Sequence, residues 1–144
     1  MNFIVDKNRY DGFCKALLKN GLSVQNQLIY TGSVKMEFLD SIIENLVVQK
    51  VRCVICGDDE ICTMIMSKLQ SEGYQIPKDI AVASLYNSPS LGCYSPAVTA
   101  VNVAAAQMGN IACKQLIQKL LNREYETRIM VDYDIMTGDI IYMV

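Results

Sequence analysis

Apolar positions along the first ninety residues come in alternating blocks, a helical stripe followed by a short continuous run. Tyr10, Phe13, Cys14, Leu17 and Leu18 lie at offsets 0, 3, 4, 7 and 8 within residues 9–20, which predicts a helix with one apolar face. Gly21 is placed to end it in a left-handed conformation, with Leu22 packing back on the helix. Gln27-Leu28-Ile29-Tyr30 reads as a short strand ended by Thr31-Gly32-Ser33. Leu39, Ile42, Ile43 and Leu46 give a second helical stripe over residues 34–49, and Arg52 to Cys56 reads as a buried strand ended by Gly57. Ile61, Ile65 and Leu69 mark a third helix over residues 59–72, closed by Gly73. Met64 and Met66 add apolar groups beside Ile65, so part of that helix is expected to meet a second surface. Ile80 to Leu85 is another continuous apolar strand.

Beyond Tyr86 the pattern loosens into a long loop to Ala97, and Val98-Thr99-Ala100-Val101 then reads as extended. Residues 103–121 predict a last helix carrying Met108, Ile111, Ala112, Leu116 and Leu120. The tail alternates enough for one or two strands, with Thr137-Gly138-Asp139 as the turn. Near-continuous apolar strands separated by amphipathic helices indicate a parallel sheet covered on both faces. The expected class is α/β, a three-layer α/β/α sandwich with a mostly parallel sheet, forming a single lobe over residues 1–144.

The 144 residues are 51% hydrophobic and 19% charged, an ordinary composition for one globular domain. Thirteen basic and fifteen acidic residues give a net charge of −2, too little positive field to draw in a nucleic-acid backbone unaided. Histidine is absent, which removes Ser-His-Asp and Cys-His catalysis and His-ligated zinc. Six cysteines are present, and Cys53-Val54-Ile55-Cys56 spells CxxC. In a strand, residues three apart face opposite sides of the sheet, so the two thiols do not share a metal. A redox CxxC also needs its first cysteine at a helix start. Reduced, buried cysteines are expected instead, with no metal and no cofactor. No leader pattern opens the chain and no apolar run reaches the ~18 residues of a membrane span, so a cytoplasmic protein without membrane contact is expected.

Ligands of an open parallel sheet bind beyond the carboxyl ends of its strands. That rule selects Thr31-Gly32, Gly57-Asp58-Asp59 and Tyr86-Asn87. Arg9 reaches the same rim if its helix enters from the same edge. A guanidinium fork, carboxylates, an amide and a phenol suit a hydroxylated small molecule with an apolar face. Neither GxGxxG nor GxxxxGK[ST] occurs, which disfavours a nucleotide. Each residue also has a plainer reading: Asp58 or Asp59 as a helix cap, Arg9 in an exposed ion pair, Tyr86 packed on the sheet edge. An α/β enzyme using Asp58 and Asp59 is the weakest reading, because neighbours at a helix start diverge by about 100°.

Several segments resemble one family. Arg9-Tyr10-Asp11-Gly12-Phe13-Cys14-Lys15-Ala16-Leu17 resembles the R-x-x-G-F-x-x-A-L opening of the second lobe of lactose-repressor-type (LacI/GalR) transcription regulators. Cys53 to Glu60 is similar to that family's A-x-x-x-x-N-D strand-to-helix junction, and Gly73 to Val82 to its G-x-x-I-P-x-D-I-x-V link. Pro96 to Val101 matches P-x-L-T-T-V and Met108 to Ala112 matches x-G-x-x-A, all in order between Arg9 and about Leu121. The resemblance implies a periplasmic-binding-protein-like type I lobe, with a small effector such as a sugar in a cleft between two lobes. By position, Arg9 takes the place of the effector-contacting arginine, Asp58 of the cleft Asn, and Asp59 of the Asp beside it. Tyr86 and Asn87 stand where the family has an effector-binding Asp pair. A phenol does not accept two hydroxyl hydrogen bonds as a carboxylate does, but it stacks on a ring.

With eight residues ahead of Arg9, the chain is expected to lack the family's helix-turn-helix and most of its first lobe, and the strand before Arg9 is expected to be short or lost. The core then covers about residues 1–101, and 102–144 is the segment that in the family crosses back to the other lobe. That segment is expected to pack on this lobe or on a neighbouring chain, because so large an apolar stripe does not stay wet. The family's dimer contact falls on Thr63 and Met64 of the third helix and on Cys93 and Tyr94, implying a homodimer. DNA would be reached only through a domain outside the chain. The lobe of a transport-linked sugar-binding protein is the alternative reading.

Overall fold

The computed structural model describes residues 3–31 and 36–139. Among the described residues, four α-helices and four strands follow in the order α1 (Phe3–Lys19), α2 (Met36–Val48), β1 (Cys53–Cys56), α3 (Asp59–Ser71), β2 (Ala81–Ser84), β3 (Thr99–Val103), α4 (Ala105–Leu120) and β4 (Tyr133–Met136). One sheet runs β1-β2-β3-β4; the first three strands are parallel and β4 is antiparallel to β3. This is the α/β, mostly parallel architecture that the sequence pattern indicates. Among the described residues no helix is long and apolar enough to cross a membrane.

The core joins the two central helices to one face of the sheet. Ile42, Ile43 and Leu46 of α2, Cys62, Ile65, Met66 and Leu69 of α3, and Cys56, Val82 and Ala100 of the strands form one buried cluster. Lys68 of α3 crosses to Asp40 of α2 at 2.7 Å and also meets Glu72 at 2.9 Å, fixing the two helices to each other. Met64 is half-buried against the core, whereas Ile65 and Met66 are buried in it.

All four helices end alike, with one residue in the left-handed region and the next amide reaching back to the helix. Gly21 (φ 73°), Gly73 (φ 87°) and Asn122 (φ 53°) suit that position, and Lys50 (φ 53°) occupies it after α2. Leu22, Val51, Tyr74 and Arg123 donate to Leu17, Leu46, Leu69 and Gln118 at 2.9–3.0 Å. Leu22 itself is 56% exposed and does not pack back as its position led one to expect.

Several elements depart from the sequence reading. Gln27 to Tyr30 is not a strand: Asn26–Leu28 is a 3-10 turn. So short a run needs a ladder partner to become a strand. Here the Asn45 side-chain amide donates to the Gln27 carbonyl at 3.3 Å and to the Tyr30 hydroxyl, whose ring meets Phe38 edge-on. Helix α1 begins at Phe3, six residues earlier than the apolar stripe suggests, so residues 3–8 ahead of Arg9 are helical. Strand β1 is not buried throughout: Cys53 and Ile55 face outward, Ile55 with 46% exposure. Of the predicted buried cysteines only Cys56 and Cys62 are buried; Cys53, Cys93 and Cys113 are exposed and Cys14 lies between. Thr137-Gly138-Asp139 is not a turn between two tail strands. The Gly138 and Asp139 amides bond to Thr99 Oγ1 and the Ala97 carbonyl, both at 3.0 Å, so this segment docks on the start of β3. A second tail strand would lie outside the described residues.

The tail strand β4 does pack on this lobe, pairing with β3 from Ala100↔Met136 to Val103↔Tyr133. Helix α4 has no buried residue, and Leu116 and Leu120 are 56% and 72% exposed.

Candidate functional site

Strands β1 and β2 pair in register, with Cys56 opposite Ser84, and the Leu85 amide donates to the Cys56 carbonyl at 2.9 Å. Both strands therefore end at one level. The chain that leaves β1 (Gly57-Asp58-Asp59) and the chain that leaves β2 (Tyr86-Asn87) come out side by side at the carboxyl rim of the sheet.

Asp58 is the N-cap of α3. Its backbone is extended, and its Oδ1 accepts the Ile61 amide at 2.9 Å, satisfying one of the free donors of the first turn. The plainer capping reading of Asp58 therefore holds. Asp59 is the first residue of the helix and half-buried, so two carboxylates stand where the helix dipole is positive.

Ser84 fixes the other arm. The buried Ser84 hydroxyl donates to the Tyr86 carbonyl at 2.6 Å and accepts the Tyr86 amide at 3.2 Å, turning the chain out of the sheet and leaving the Tyr86 ring 36% exposed. The Asn87 amide donates to the Val101 carbonyl of β3 at 2.8 Å, and its side-chain nitrogen lies 3.0 Å from Met136 Sδ of β4. Sequence reasoning missed Ser84 and Met136. A lone serine closing the apolar run Ala81-Val82-Ala83 was the available signal for the first; nothing in the sequence signalled the second.

Arg9 lies in the middle of α1, half-buried, and its ion-pair partner among the described residues is Asp6, one turn earlier, at 3.6 Å. No hydrogen bond or ion pair among the described residues joins it to Asp58, Tyr86 or Asn87. Thr31 is exposed, and Gly32 lies outside the described residues.

A second cluster forms on the outward side of α3. The Tyr94 hydroxyl and Ser67 Oγ are 3.2 Å apart, and Gln70 Nε2 donates to the Ser95 carbonyl at 3.2 Å. The loop around Cys93 and Tyr94 thus lies against the helix that carries Thr63 and Met64. Cys93 is exposed, while Thr63, Met64 and Tyr94 are half-buried.

The CxxC pair faces opposite ways, with Cys53 exposed and Cys56 buried. The Cys56 thiol interacts with Cys62 of α3, and that contact together with burial holds its pKa well above the ordinary thiol value. Neutral, packed sulfur is the state this position favours.

Residues 4–138 match the periplasmic binding protein-like domain family. The chain is 29% identical over 116 residues to the HTH-type transcriptional repressor PurR of Glaesserella parasuis serovar 5 (strain SH0165), an alignment spanning 79% of this chain and 34% of that one. Among solved structures it resembles the transcription regulator CcpA of Lactococcus lactis, with a TM-score of 0.82, 22% identity, and coverage of 94% of this chain and 50% of that one. It also resembles a transcriptional regulator CelR–cellobiose complex, with a TM-score of 0.78, 21% identity, and coverage of 92% and 41%. The fold and the match over residues 4–138 agree, and the chain belongs to the periplasmic binding protein-like domain family. It spans about a third of the curated relatives' length and at most about half of these solved structures.

Proposed function

We propose that this chain is the effector-sensing and dimerising lobe of a LacI-type transcription regulator, a binding protein of the cytoplasm rather than an enzyme. The reading rests on one observation above all: the level ends of β1 and β2 bring Asp58 and Asp59 beside Tyr86 and Asn87, within a chain of this family. The effector is a small hydroxylated molecule of the sugar class. Asp59, Asn87 and the free oxygen of Asp58 take its hydroxyls, Tyr86 stacks on its apolar ring face, and Arg9 gives up its pairing with Asp6 to join them. The CelR–cellobiose complex among the structural neighbours supports the sugar class. With one lobe a ligand loses much of its burial, so this chain alone binds weakly. Two chains pair through α3 and the Cys93–Tyr94 loop, and DNA is contacted through a domain outside the chain.

Calorimetry of this lobe joined to a first lobe, against a panel of sugars and aryl glycosides, tests the reading. A sugar that binds, and binds about tenfold or more weakly after Asp59→Ala or Tyr86→Ala, is expected. Sugar binding that ignores both substitutions overturns the assignment.

A further inference from the structure

We propose that the opposite end of the sheet, where the strands begin, holds a second binding site, one for an organic anion with a compact aromatic or branched apolar body. An open surface pocket of about 320 Å³ lies there between the end of α2, the entry to β1 and the link into β2. Strands rise about 3.3 Å per residue, so four residues of β1 set it roughly 13 Å from the effector rim. It is independent of the effector reading.

Two features give the cavity its chemistry. Three cations line it, Lys50, Arg52 and Lys78, and among the described residues none is in an ion pair. The one carboxylate in the lining, Asp79, is already engaged: its Oδ2 accepts the Gln75 amide at 2.7 Å. In a chain whose net charge is −2, this is a local excess of positive charge. The rest of the wall is apolar, with the half-buried Tyr74 ring and Val47, 41% exposed, available to a ligand. Cations around a concave apolar wall reward a ligand that carries both an anionic group and an apolar body. The volume admits one or two rings, and a single cavity is too short to follow a nucleic-acid backbone.

Lys50 supplies an independent observation. It holds the left-handed position after α2 that glycine or asparagine holds after the other three helices, and a side chain with a Cβ is strained there. Serving the helix dipole does not require that strain. Lys19, Lys68 and Lys119 do so from within the last turns of α1, α3 and α4. A cation kept at a strained position, beside Arg52 of the same link and Lys78 brought in from the link into β2, points to the cavity they share.

The test uses the ¹⁵N-labelled chain titrated with 1-naphthyl phosphate, 1-naphthol and inorganic phosphate. Naphthyl phosphate is expected to shift the amides of Val51, Arg52, Lys78 and Ile80, with each of the two part-ligands about tenfold weaker. Arg52→Ala and Lys78→Ala should each weaken binding while leaving the fold intact, since both side chains are exposed. Lys50→Gly should raise the melting temperature by relieving the left-handed strain and still weaken binding. Equal shifts from 1-naphthol, shifts confined to other surfaces, or unchanged binding in Lys50→Gly overturn the proposal.

Discussion

Ser67 Oγ and the Tyr94 hydroxyl lie 3.2 Å apart, tying the outward side of α3 to the loop that follows the buried Leu91. On the proposed two-fold contact that patch meets its own copy. Tyr94→Asp places a desolvated carboxylate there and should give monomer by sedimentation velocity. Tyr94→Phe removes only the hydrogen bond, so it should keep the dimer and cost about 1 kcal/mol of stability or less. A Tyr94→Asp protein that remains dimeric refutes this surface.

Asp58 carries two roles that substitution can separate. Asp58→Ala removes the acceptor of the Ile61 amide and should destabilise the lobe by about 1 kcal/mol in denaturant unfolding. Asp58→Asn keeps an acceptor at the cap and removes the charge. It should unfold close to the original midpoint and bind a hydroxylated effector differently. Equal stability losses in the two variants would show that the charge, and not the cap, holds the helix start.

Gly138 is required by close approach. A Cβ there would clash with the Ala97 carbonyl oxygen and sit 2.6 Å from the Val98 carbonyl carbon, both backbone atoms with no rotamer to yield. Gly138→Ala should therefore lift residues 137–139 off the start of β3, fray β4, and cost about 1–3 kcal/mol. Faster hydrogen exchange at the amides of residues 133–136, with α2 and α3 unchanged, is the expected readout.

Stability should fall at high pH. The Asp40 and Glu72 carboxylates hold the Lys68 ammonium above its ordinary value of 10.5. A group raised in the folded state contributes stability that is complete below its unfolded value and is lost as pH climbs past it. The Lys68 contribution thus declines from about pH 10.5 upward. Thermal melts across that range check this: Lys68→Met should flatten the decline. At neutral pH, Cys93 and Cys113 should alkylate in the native state while Cys56 does not.

The helices and strands that build the core were legible because each has a strong period or a long enough run: Leu39 to Leu46, Ile61 to Leu69 and Ile80 to Leu85 all sit where their patterns indicate. The segment Gln27–Tyr30 misled because its three apolar residues look the same in a strand or beside a 3-10 turn. The choice was made by Asn45, eighteen residues from Gln27 and invisible to any local window. Asp58 and Tyr86 were legible as rim residues from the strand-end rule alone, since Tyr86 directly follows its apolar run and Asp58 follows its own after Gly57. Ser84 and Met136 were not, because they act by positioning Tyr86 and contacting Asn87 across strands. Lys50 was passed over for a different reason: a left-handed lysine leaves no mark in composition or periodicity.

Amide shifts of the labelled lobe, joined to a first lobe and titrated with a sugar that it binds, report whether the effector sits on the rim where β1 and β2 end. The largest shifts should fall at Gly57, Asp58, Tyr86 and Asn87. Saturable binding that leaves those four amides unmoved would contradict that placement.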